Sequence, residues 1–322
     1  MKKLIWLVGI LLLMAGCQKA ESITIAYDED RLFNMAEAED YIVYVDQEVA
    51  MVEEKTSGES YPLIIDPLHP EDTRFNFTSN WKTSGNLVYF QNGDEISVID
   101  LDTGKKKLLY TDTVPLISIE LLGVTLWKNY LPSKYTTTDF MTDFFIVDNA
   151  IVIIRSESIT VFRNGKESSL CDGSFGTVTG GENGVFFTDD LGLLHYIQPF
   201  TWEEAAIPEI YAGSMTTHDD LLYYVDNGDH YKVKSVNPTT GEICTVYSES
   251  CQMIVAGYGF ILLQDRAGTL QIMRLSNGKT EMISLSEHFS RMSFLENGNS
   301  IVVNSQNAEN ERGYVVFDNP LL

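Results

Sequence analysis

A three-segment pattern recurs along almost the whole chain. In each unit, a run of β-branched and aromatic residues is followed by a turn, a second run, a glycine-containing turn and a third run. In residues 86–110 the runs are NLVYF, ISVIDL and KKLLY, and the turns are QNGDE and DTGK. An Asn-Gly turn between two such runs is typical of a β-hairpin. Each unit is therefore predicted to form a small antiparallel sheet.

The turn glycines give the period of the repeat. They are Gly192, Gly228 and Gly268 in the first turn, and Gly165, Gly241 and Gly278 in the second. Their spacing corresponds to about 36 to 40 residues per unit, the period of four-stranded blades. A single unit cannot bury its own apolar face, whereas units stacked in a ring bury both faces and leave only short edges. The sequence therefore predicts an all-β fold, a β-propeller.

Seven units can be counted from their first long strands. These strands begin at Tyr41, Asn86, Asn149, Gly184, Asp220, Gly259 and Ser300. The interval from Asn86 to Asn149 is longer than the others by roughly 25 residues against the usual period. We expect an insertion near residues 116–145, and a degenerate eighth blade is the alternative. The last unit lacks a third strand, so residues 22–27 (SITIAY) are predicted to complete it and close the ring.

The first sixteen residues have the features of a targeting segment. Lys2 and Lys3 precede an apolar run over residues 5–14. This run is shorter than the roughly 20 residues that a membrane span needs. Met14-Ala15-Gly16-Cys17 then resembles the lipobox of bacterial lipoproteins. The alternative is an ordinary secretory signal with a chance cysteine.

The lipobox resemblance implies a location. It predicts cleavage before Cys17, attachment of a lipid to the Cys17 thiol, and an anchor on the extracytoplasmic side of the cell membrane. Residues 17–21 would be a short tether and residues 22–322 the propeller. The membrane would then be a partner only through this anchor.

The repeat plan and the turn residues together resemble the exported β-propeller lipoproteins of bacteria, with blades of the YVTN or PQQ-like type. The resemblance covers nearly the whole chain after the signal. No unit carries the Trp-Asp dipeptide of WD40 repeats or the tryptophan docking motif of quinoprotein dehydrogenases. The resemblance therefore implies a fold and brings no catalytic residue with it.

The charge balance limits the partners. The chain has 46 acidic residues against 22 lysines and arginines, for a formal net charge of −24. Nucleic acid is not expected as a partner, because its binding needs a basic surface. Solubility is one explanation of the acidity, and binding of a cation or a basic partner is the other.

Three cysteines remain after Cys17, namely Cys171, Cys244 and Cys251. Cys244 and Cys251 could pair and leave Cys171 alone, but a chain of this length can bury a core without disulfides. We expect three buried or half-buried thiols. No paired Cys-x-x-Cys is present, so no metal is predicted.

Sequence motifs for catalysis are missing, and the catalytic residues stay unknown. No phosphate loop, dinucleotide fingerprint or Gly-x-Ser-x-Gly elbow occurs, so no cofactor is predicted. The histidines are read as turn or surface residues: His69, His195, His218, His230 and His288. Three acid pairs could act as hydrolase carboxylates but are typical of solvated turns: Asp189-Asp190, Glu203-Glu204 and Asp219-Asp220.

The insertion is the strongest sequence candidate for ligand binding. It places Trp127, Tyr130, Lys134 and Tyr135 within a short stretch. Aromatic loops on rigid scaffolds often bind proteins or sugars, although these rings could also pack the loop onto the propeller. Phe200 and Trp202 form a second, weaker candidate.

Two functions fit the sequence. The first is a non-catalytic binding or scaffold module displayed outside the membrane, with a protein or glycan ligand. The alternative is a propeller-type enzyme, a glycan lyase, hydrolase or lactonase, which would need a cluster of polar side chains at the mouth of the central channel.

Overall fold

A computed structural model describes most of the chain from residue 35 onward. The described segments are 35–46, 49–63, 81–92, 95–121, 124–132, 141–181, 183–205, 207–283, 288–295, 298–306 and 312–322. No described segment forms a helix with the length and hydropathy of a membrane span. Cys17, the targeting segment and residues 22–27 lie outside the described residues.

Seven antiparallel sheets form the blades, which confirms the all-β propeller with seven blades. Blade 1 contains β1 (Met35–Glu37), β2 (Tyr41–Asp46), β3 (Val49–Glu54) and β4 (Ser60–Pro62). Blade 2 contains β5 (Trp81–Ser84), β6 (Leu87–Asn92), β7 (Glu95–Asp100) and β8 (Lys105–Thr111). A hairpin follows, with β9 (Thr113–Leu121) and β10 (Val124–Pro132). Blade 3 contains β11 (Met141–Val147), β12 (Ala150–Arg155), β13 (Ser158–Arg163) and β14 (Lys166–Asp172).

The remaining blades continue the same order. Blade 4 contains β15 (Val178–Gly181), β16 (Gly184–Thr188), β17 (Leu194–Ile197) and β18 (Glu204–Ala205). Blade 5 contains β19 (Ala212–His218), β20 (Leu221–Asp226), β21 (Lys232–Val236) and β22 (Ile243–Tyr247). Blade 6 contains β23 (Met253–Gly257), β24 (Phe260–Gln264), β25 (Leu270–Arg274) and β26 (Thr280–Ile283). Blade 7 contains β27 (His288–Leu295), β28 (Ser300–Gln306) and β29 (Arg312–Asp318).

Within every blade the strands pair in chain order. First strands of neighbouring blades contact one another, as in β1 with β5 and β19 with β23, and therefore surround the central channel. The second strands β12, β16 and β24 are buried throughout, whereas the fourth strands β14, β22 and β26 are mostly exposed. Burial thus falls from the second strand to the outer edge of each blade.

Tight turns set the register of the strands. Asp148 and Asn149 both have positive φ between β11 and β12, and so do Asn164 and Gly165 between β13 and β14. Two consecutive residues of this kind form the hairpin turn that matches the twist of the strands. Asn and Gly occupy these positions at low cost, because they tolerate the left-handed conformation.

The hydrophobic core lies between neighbouring blades. Six apolar clusters among the described residues each join two adjacent blades. One example packs Ile96 and Tyr110 of blade 2 against Phe144 and Ile153 of blade 3. Each blade is therefore stabilised by its two neighbours, as expected for units that cannot bury themselves alone.

The β9–β10 hairpin occupies the long interval between blades 2 and 3. It is a two-stranded sheet in which Trp127 pairs with Ile119 and Tyr130 pairs with Pro115. The segment overlaps the insertion expected at residues 116–145. Because its described part is a hairpin and not a blade, the eight-blade alternative is wrong.

Blade 7 has three strands among the described residues, β27 to β29. The predicted fourth strand, residues 22–27, lies outside them. Closure of the ring by this strand stays a prediction.

The three described cysteines are free thiols. Cys251 is buried and Cys171 is half-buried, as expected, but Cys244 is exposed. The prediction for Cys244 was therefore wrong. The reason is that Cys244 lies on β22, the outermost strand of its blade, where side chains face solvent.

Candidate functional site: the channel mouth

Alternation of the antiparallel strands gives the ring two different rims. One rim carries the turns between first and second strands and between third and fourth strands; we call it the inner-turn rim. The opposite rim carries the turns between second and third strands, the connections between blades, and the base of the β9–β10 hairpin; we call it the linker rim.

A cavity of about 750 Å³ opens at the inner-turn rim, where the first strands meet around the channel. Six of the seven blades contribute residues to its wall. We call this cavity the channel mouth and define it by Glu37, Trp81, Lys82, Phe145, Phe200 and Tyr258. Its volume is that of a small-ligand pocket.

Glycines on the first strands let neighbouring blades approach closely. A Cβ atom on Gly180 of β15 would lie 2.9 Å from Cγ of Phe145 on β11. A Cβ atom on Gly257 of β23 would lie 3.1 Å from Cδ2 of Phe294 on β27. In both places a phenylalanine side chain of one blade packs directly on the glycine backbone of its neighbour, and this packing forms part of the wall of the mouth.

Polar side chains also join the first strands. Ser214 Oγ accepts a hydrogen bond from the Ile254 N–H at 3.1 Å, and His218 Nε2 accepts one from the Gly259 N–H at 3.1 Å. Thr216 Oγ1 accepts a third from the Ala256 N–H at 3.4 Å, so blades 5 and 6 are linked at three points along the channel.

Glu37 is the centre of a charged network at the mouth. Its Oε1 atom lies 2.6 Å from Nζ of Lys55, and the Glu37 side chain is only 7% exposed. Lys55 also donates to the carbonyls of Ala38 and Glu39. Tyr258 of blade 6 donates its hydroxyl to Glu37 Oε2 at 3.4 Å. Burial, and then the charge of Glu37, raises the pKa of Tyr258. This network connects blade 6 with blade 1, although blade 7 lies between them in the ring.

Two further ion pairs surround the mouth. Lys82 Nζ lies 3.3 Å from Asp143 Oδ1 and 4.6 Å from the centre of the Phe145 ring. Arg163 pairs with Asp148 at 3.3 Å. The lysine therefore bridges blades 2 and 3 through both a carboxylate and a cation–π contact.

Phe200 and Tyr258 present exposed rings at the mouth. The Phe200 side chain is 69% exposed and that of Tyr258 is 46% exposed. Phe200 lies in the loop between β17 and β18, with a positive φ of 70°. Trp202 in the same loop packs against the core cluster between blades 3 and 4, and its backbone N–H donates to the Gln198 carbonyl. Trp202 therefore anchors the loop, and Phe200 is displayed to solvent.

A second charged cluster lies on blade 4 away from the channel. His195 Nδ1 is 2.7 Å from Glu204 Oε1, and His195 Nε2 is 3.4 Å from Asp189 Oδ2. The imidazole stacks on Phe187 with centroids 5.0 Å apart. Burial alone would lower the pKa of His195, but Glu204 and Asp189 outweigh it, so that the pKa is raised. Two of the three acid pairs of the sequence thus each give one carboxylate to the same histidine.

A third cluster fixes the base of the hairpin. Arg155, which is 8% exposed, donates to Asp112, Glu167 and Tyr110 at 3.1, 2.8 and 2.8 Å. It also donates to Thr160 at 2.7 Å. Asp112 directly precedes β9, so the hairpin starts from a buried ion pair between blades 2 and 3.

Most of the site residues predicted from the sequence lie outside these three clusters. Trp127 and Tyr130 lie on β10, whereas Lys134, Tyr135 and Cys17 lie outside the described residues. Their proposed roles stay predictions. Phe200, the weaker candidate, lies at the channel mouth. Glu37, Lys82 and Tyr258 gave no sequence signal, because they come together only through the ring. No group of three potential metal ligands converges among the described residues.

No protein-family model and no curated protein matches the chain in sequence. Solved structures match over nearly its whole length. YCF48 bound to D1 peptide has a TM-score of 0.58 at 12% identity, covering 93% of this chain and 96% of its own. The computationally designed Ika8 protein has a TM-score of 0.56 at 11% identity, covering 94% of this chain and 100% of its own. The WD40 propeller domain of Doa1 has a TM-score of 0.54 at 15% identity, covering 95% of this chain and 98% of its own. Likeness at these identities shows the fold, a β-propeller.

Proposed function

We propose that this protein is a lipid-anchored binding module on the extracytoplasmic side of a bacterial membrane, and that its ligand enters the channel mouth. The observation that carries the binding proposal is the exposed Phe200 ring, held by a half-buried Trp202 anchor at the edge of a cavity of about 750 Å³. Exposed aromatic rings on a rigid frame are typical of recognition surfaces.

The charged groups of the mouth support binding more than catalysis. Glu37, Lys82 and Asp148 are each engaged in an ion pair with a neighbouring element. Such pairs hold the shape of the wall. The enzyme alternative needs a cluster free to act on a substrate, and we do not propose it.

A polypeptide is the ligand class that we propose first. One structural neighbour, YCF48, is known in complex with a peptide named D1. That complex concerns YCF48 alone, but it is one example of a propeller that receives a peptide. A cavity of this size fits a few residues of a chain and not a folded domain.

The anchor proposal rests on the sequence Met14-Ala15-Gly16-Cys17. We expect Cys17→Ala to leave an uncleaved precursor or to release the protein from membranes, as measured by fractionation and mass spectrometry. Normal processing together with membrane retention of the variant would contradict the anchor.

The binding proposal is tested by affinity capture from a cell-envelope extract. We expect the unaltered protein to retain a component that Phe200→Ala loses by about tenfold or more, since a central aromatic can dominate an interface. Leu191→Ala is the matched control, because Leu191 is 77% exposed but lies on the linker rim. Equal capture by all three proteins would contradict the channel mouth as the site.

The β9–β10 hairpin is the second candidate surface. The buried Arg155–Asp112 pair at its base favours it, because a hairpin fixed at its root can present a constant surface. Trp127→Ala in the same capture experiment separates the two surfaces: loss with this variant and not with Phe200→Ala would assign binding to the hairpin.

A further inference from the structure

We propose that the channel mouth selects a cationic segment of polypeptide, in which lysine or arginine alternates with apolar or aromatic residues. This proposal rests on the proposed function above, since it names the class of ligand for that site. It is carried by the distribution of charge around the mouth and by the two exposed rings.

Pairs of exposed carboxylates occur in two of the turns between first and second strands. Glu39 and Asp40 are exposed in the turn after β1, and Asp219 and Asp220 are exposed in the turn after β19. The Asp219 side chain is 82% exposed. These turns lie on the same rim as the channel mouth but outside its wall, so their charges add to the negative potential that a ligand meets as it approaches.

The cations of the mouth do not balance these carboxylates. Lys55, Lys82 and Arg163 each pair with another carboxylate: Glu37, Asp143 and Asp148 respectively. His218 Nε2 lies 3.1 Å from the Gly259 backbone nitrogen and 3.6 Å from Asp219 Oδ2, so of these groups only this one histidine is left to offset the four exposed carboxylates of blades 1 and 5. The inner turns therefore keep a surplus of negative charge.

Lysines 105–107 lie on the same rim but farther from the axis, because they begin β8, the outermost strand of blade 2. They place positive charge at the periphery and not in the mouth. A cationic segment is thus attracted to the centre of the rim.

The exposed rings favour the same ligand. Phe200 and Tyr258 come from different blades and line the same cavity. The contact between Lys82 and Phe145 shows that an ammonium group can lie over a ring in this wall, at 4.6 Å. A ligand lysine or arginine could make the same contact with Phe200 or Tyr258, while its apolar neighbours cover the ring faces.

The test uses labelled peptides of about six residues, short enough to enter the mouth, and fluorescence anisotropy with the whole protein. The probes alternate lysine with phenylalanine, glutamate with phenylalanine, and lysine with serine. We expect the first peptide to bind at least about tenfold more tightly than the other two, with weakening at high salt because opposite charges are screened.

Variants locate the binding. We expect Asp219→Asn with Asp220→Asn to weaken the first peptide by about fivefold, since two exposed carboxylates are neutralised. Asparagine is chosen because Asp219 has φ of 51°, which asparagine tolerates. Asp190→Asn, an exposed acid on the linker rim, should leave binding unchanged. Unfolding temperatures of all variants are measured to confirm the fold.

The outcomes separate the two proposals. Equal binding of the cationic and anionic peptides, or equal binding of the first peptide by all variants, would overturn the cationic class. If Phe200-dependent capture from the envelope persists in that case, the channel mouth remains the site for another ligand. Loss of any Phe200 dependence in both experiments would overturn the site itself.

Discussion

His195 Nδ1 lies 2.7 Å from Glu204 Oε1 and joins the third strand of blade 4 to its short fourth strand. Residues 198–203, between these two strands, include Phe200, which lines the channel mouth, and Trp202, which packs against the core. By binding Glu204, the histidine holds together the two strands at the ends of the loop that carries Phe200 to the proposed binding surface.

Stability should depend on pH through His195. Its pKa is raised in the folded state, so its stabilising contribution is complete below the unfolded value of 6.5 and is lost as pH rises through the higher folded value. We expect His195→Asn to lower the unfolding temperature by about 1 °C near pH 5.5 and by less near pH 9. The effect is small because Glu204 is 59% exposed and solvent screens the pair.

A matched variant controls for the general effect of pH. His230 is an exposed turn histidine with φ of 54°, which asparagine tolerates, so His230→Asn controls for exchanging a histidine for asparagine outside the cluster. A constant deficit of His195→Asn at every pH would show that the imidazole acts by packing on Phe187 and not by charge.

Loss of the Arg155 guanidinium should strongly destabilise the fold. Its partner Asp112 is 7% exposed, so Arg155→Leu leaves a buried carboxylate without its cation. We expect a loss of about 3 to 5 kcal/mol in the free energy of unfolding, measured with denaturant. Arg163→Leu is the control, because Arg163 is 45% exposed and its pair should contribute less than about 1 kcal/mol. Similar losses for both variants would contradict the assignment.

A methyl group at position 180 should disturb the wall of the channel mouth. In Gly180→Ala the Cβ atom would lie 2.9 Å from the Phe145 ring, so one of the two blades must move. We expect a cost of about 1 to 3 kcal/mol in unfolding free energy. The double variant with Phe145→Leu should cost less than the sum of the single variants, because the smaller side chain leaves room. Strict additivity would show that the two residues do not compete for space.

The fold could be predicted from the sequence because the second and third strands carry its signal. Runs such as AIVIIR in β12 and FILLQ in β24 are buried in a regular order, and turn glycines mark their spacing. First strands were not recognised. β15 has the sequence VTGG and β19 has AGSMTTH, since the crowded channel favours small and polar residues.

The same cause hid most of the candidate site. Glu37, Lys82 and Tyr258 lie on or next to first strands, far apart in the chain, and only the ring brings them together. The cluster around His195 depends on register: His195 pairs with Phe187, and Ile197 pairs with Glu204. The sequence identified the acid pairs as groups, but no spacing rule places one member of each beside the histidine.

The thiols should differ sharply in reactivity. Cys244 is exposed, whereas burial raises the pKa of Cys251 to about 12 and also raises that of Cys171. Because the thiolate is the reactive form, we expect an alkylating reagent near neutral pH to modify Cys244 first, Cys171 slowly and Cys251 only after unfolding. Peptide mapping by mass spectrometry gives the order, and early labelling of Cys251 would contradict its burial.

The last prediction concerns closure of the ring by residues 22–27. Six blades have four strands in the described part of the chain, and blade 7 has three, ending with β29. An additional strand beside β29 would pair its outer edge and continue directly toward β1, the first strand of blade 1. The predicted strand has the alternating sequence SITIAY, which suits an edge with one buried face.

Deletion of residues 22–27 should therefore weaken the whole ring. Loss of the pairing along one strand removes several backbone hydrogen bonds at about 1 kcal/mol each, so we expect a loss of about 3 kcal/mol in unfolding free energy. Because blades are stabilised by their neighbours, the loss should appear in one cooperative transition. Deletion of residues 18–21, the part of the tether after Cys17, is the control and should leave stability unchanged. An unchanged transition after deletion of residues 22–27 would show that blade 7 is closed by other means.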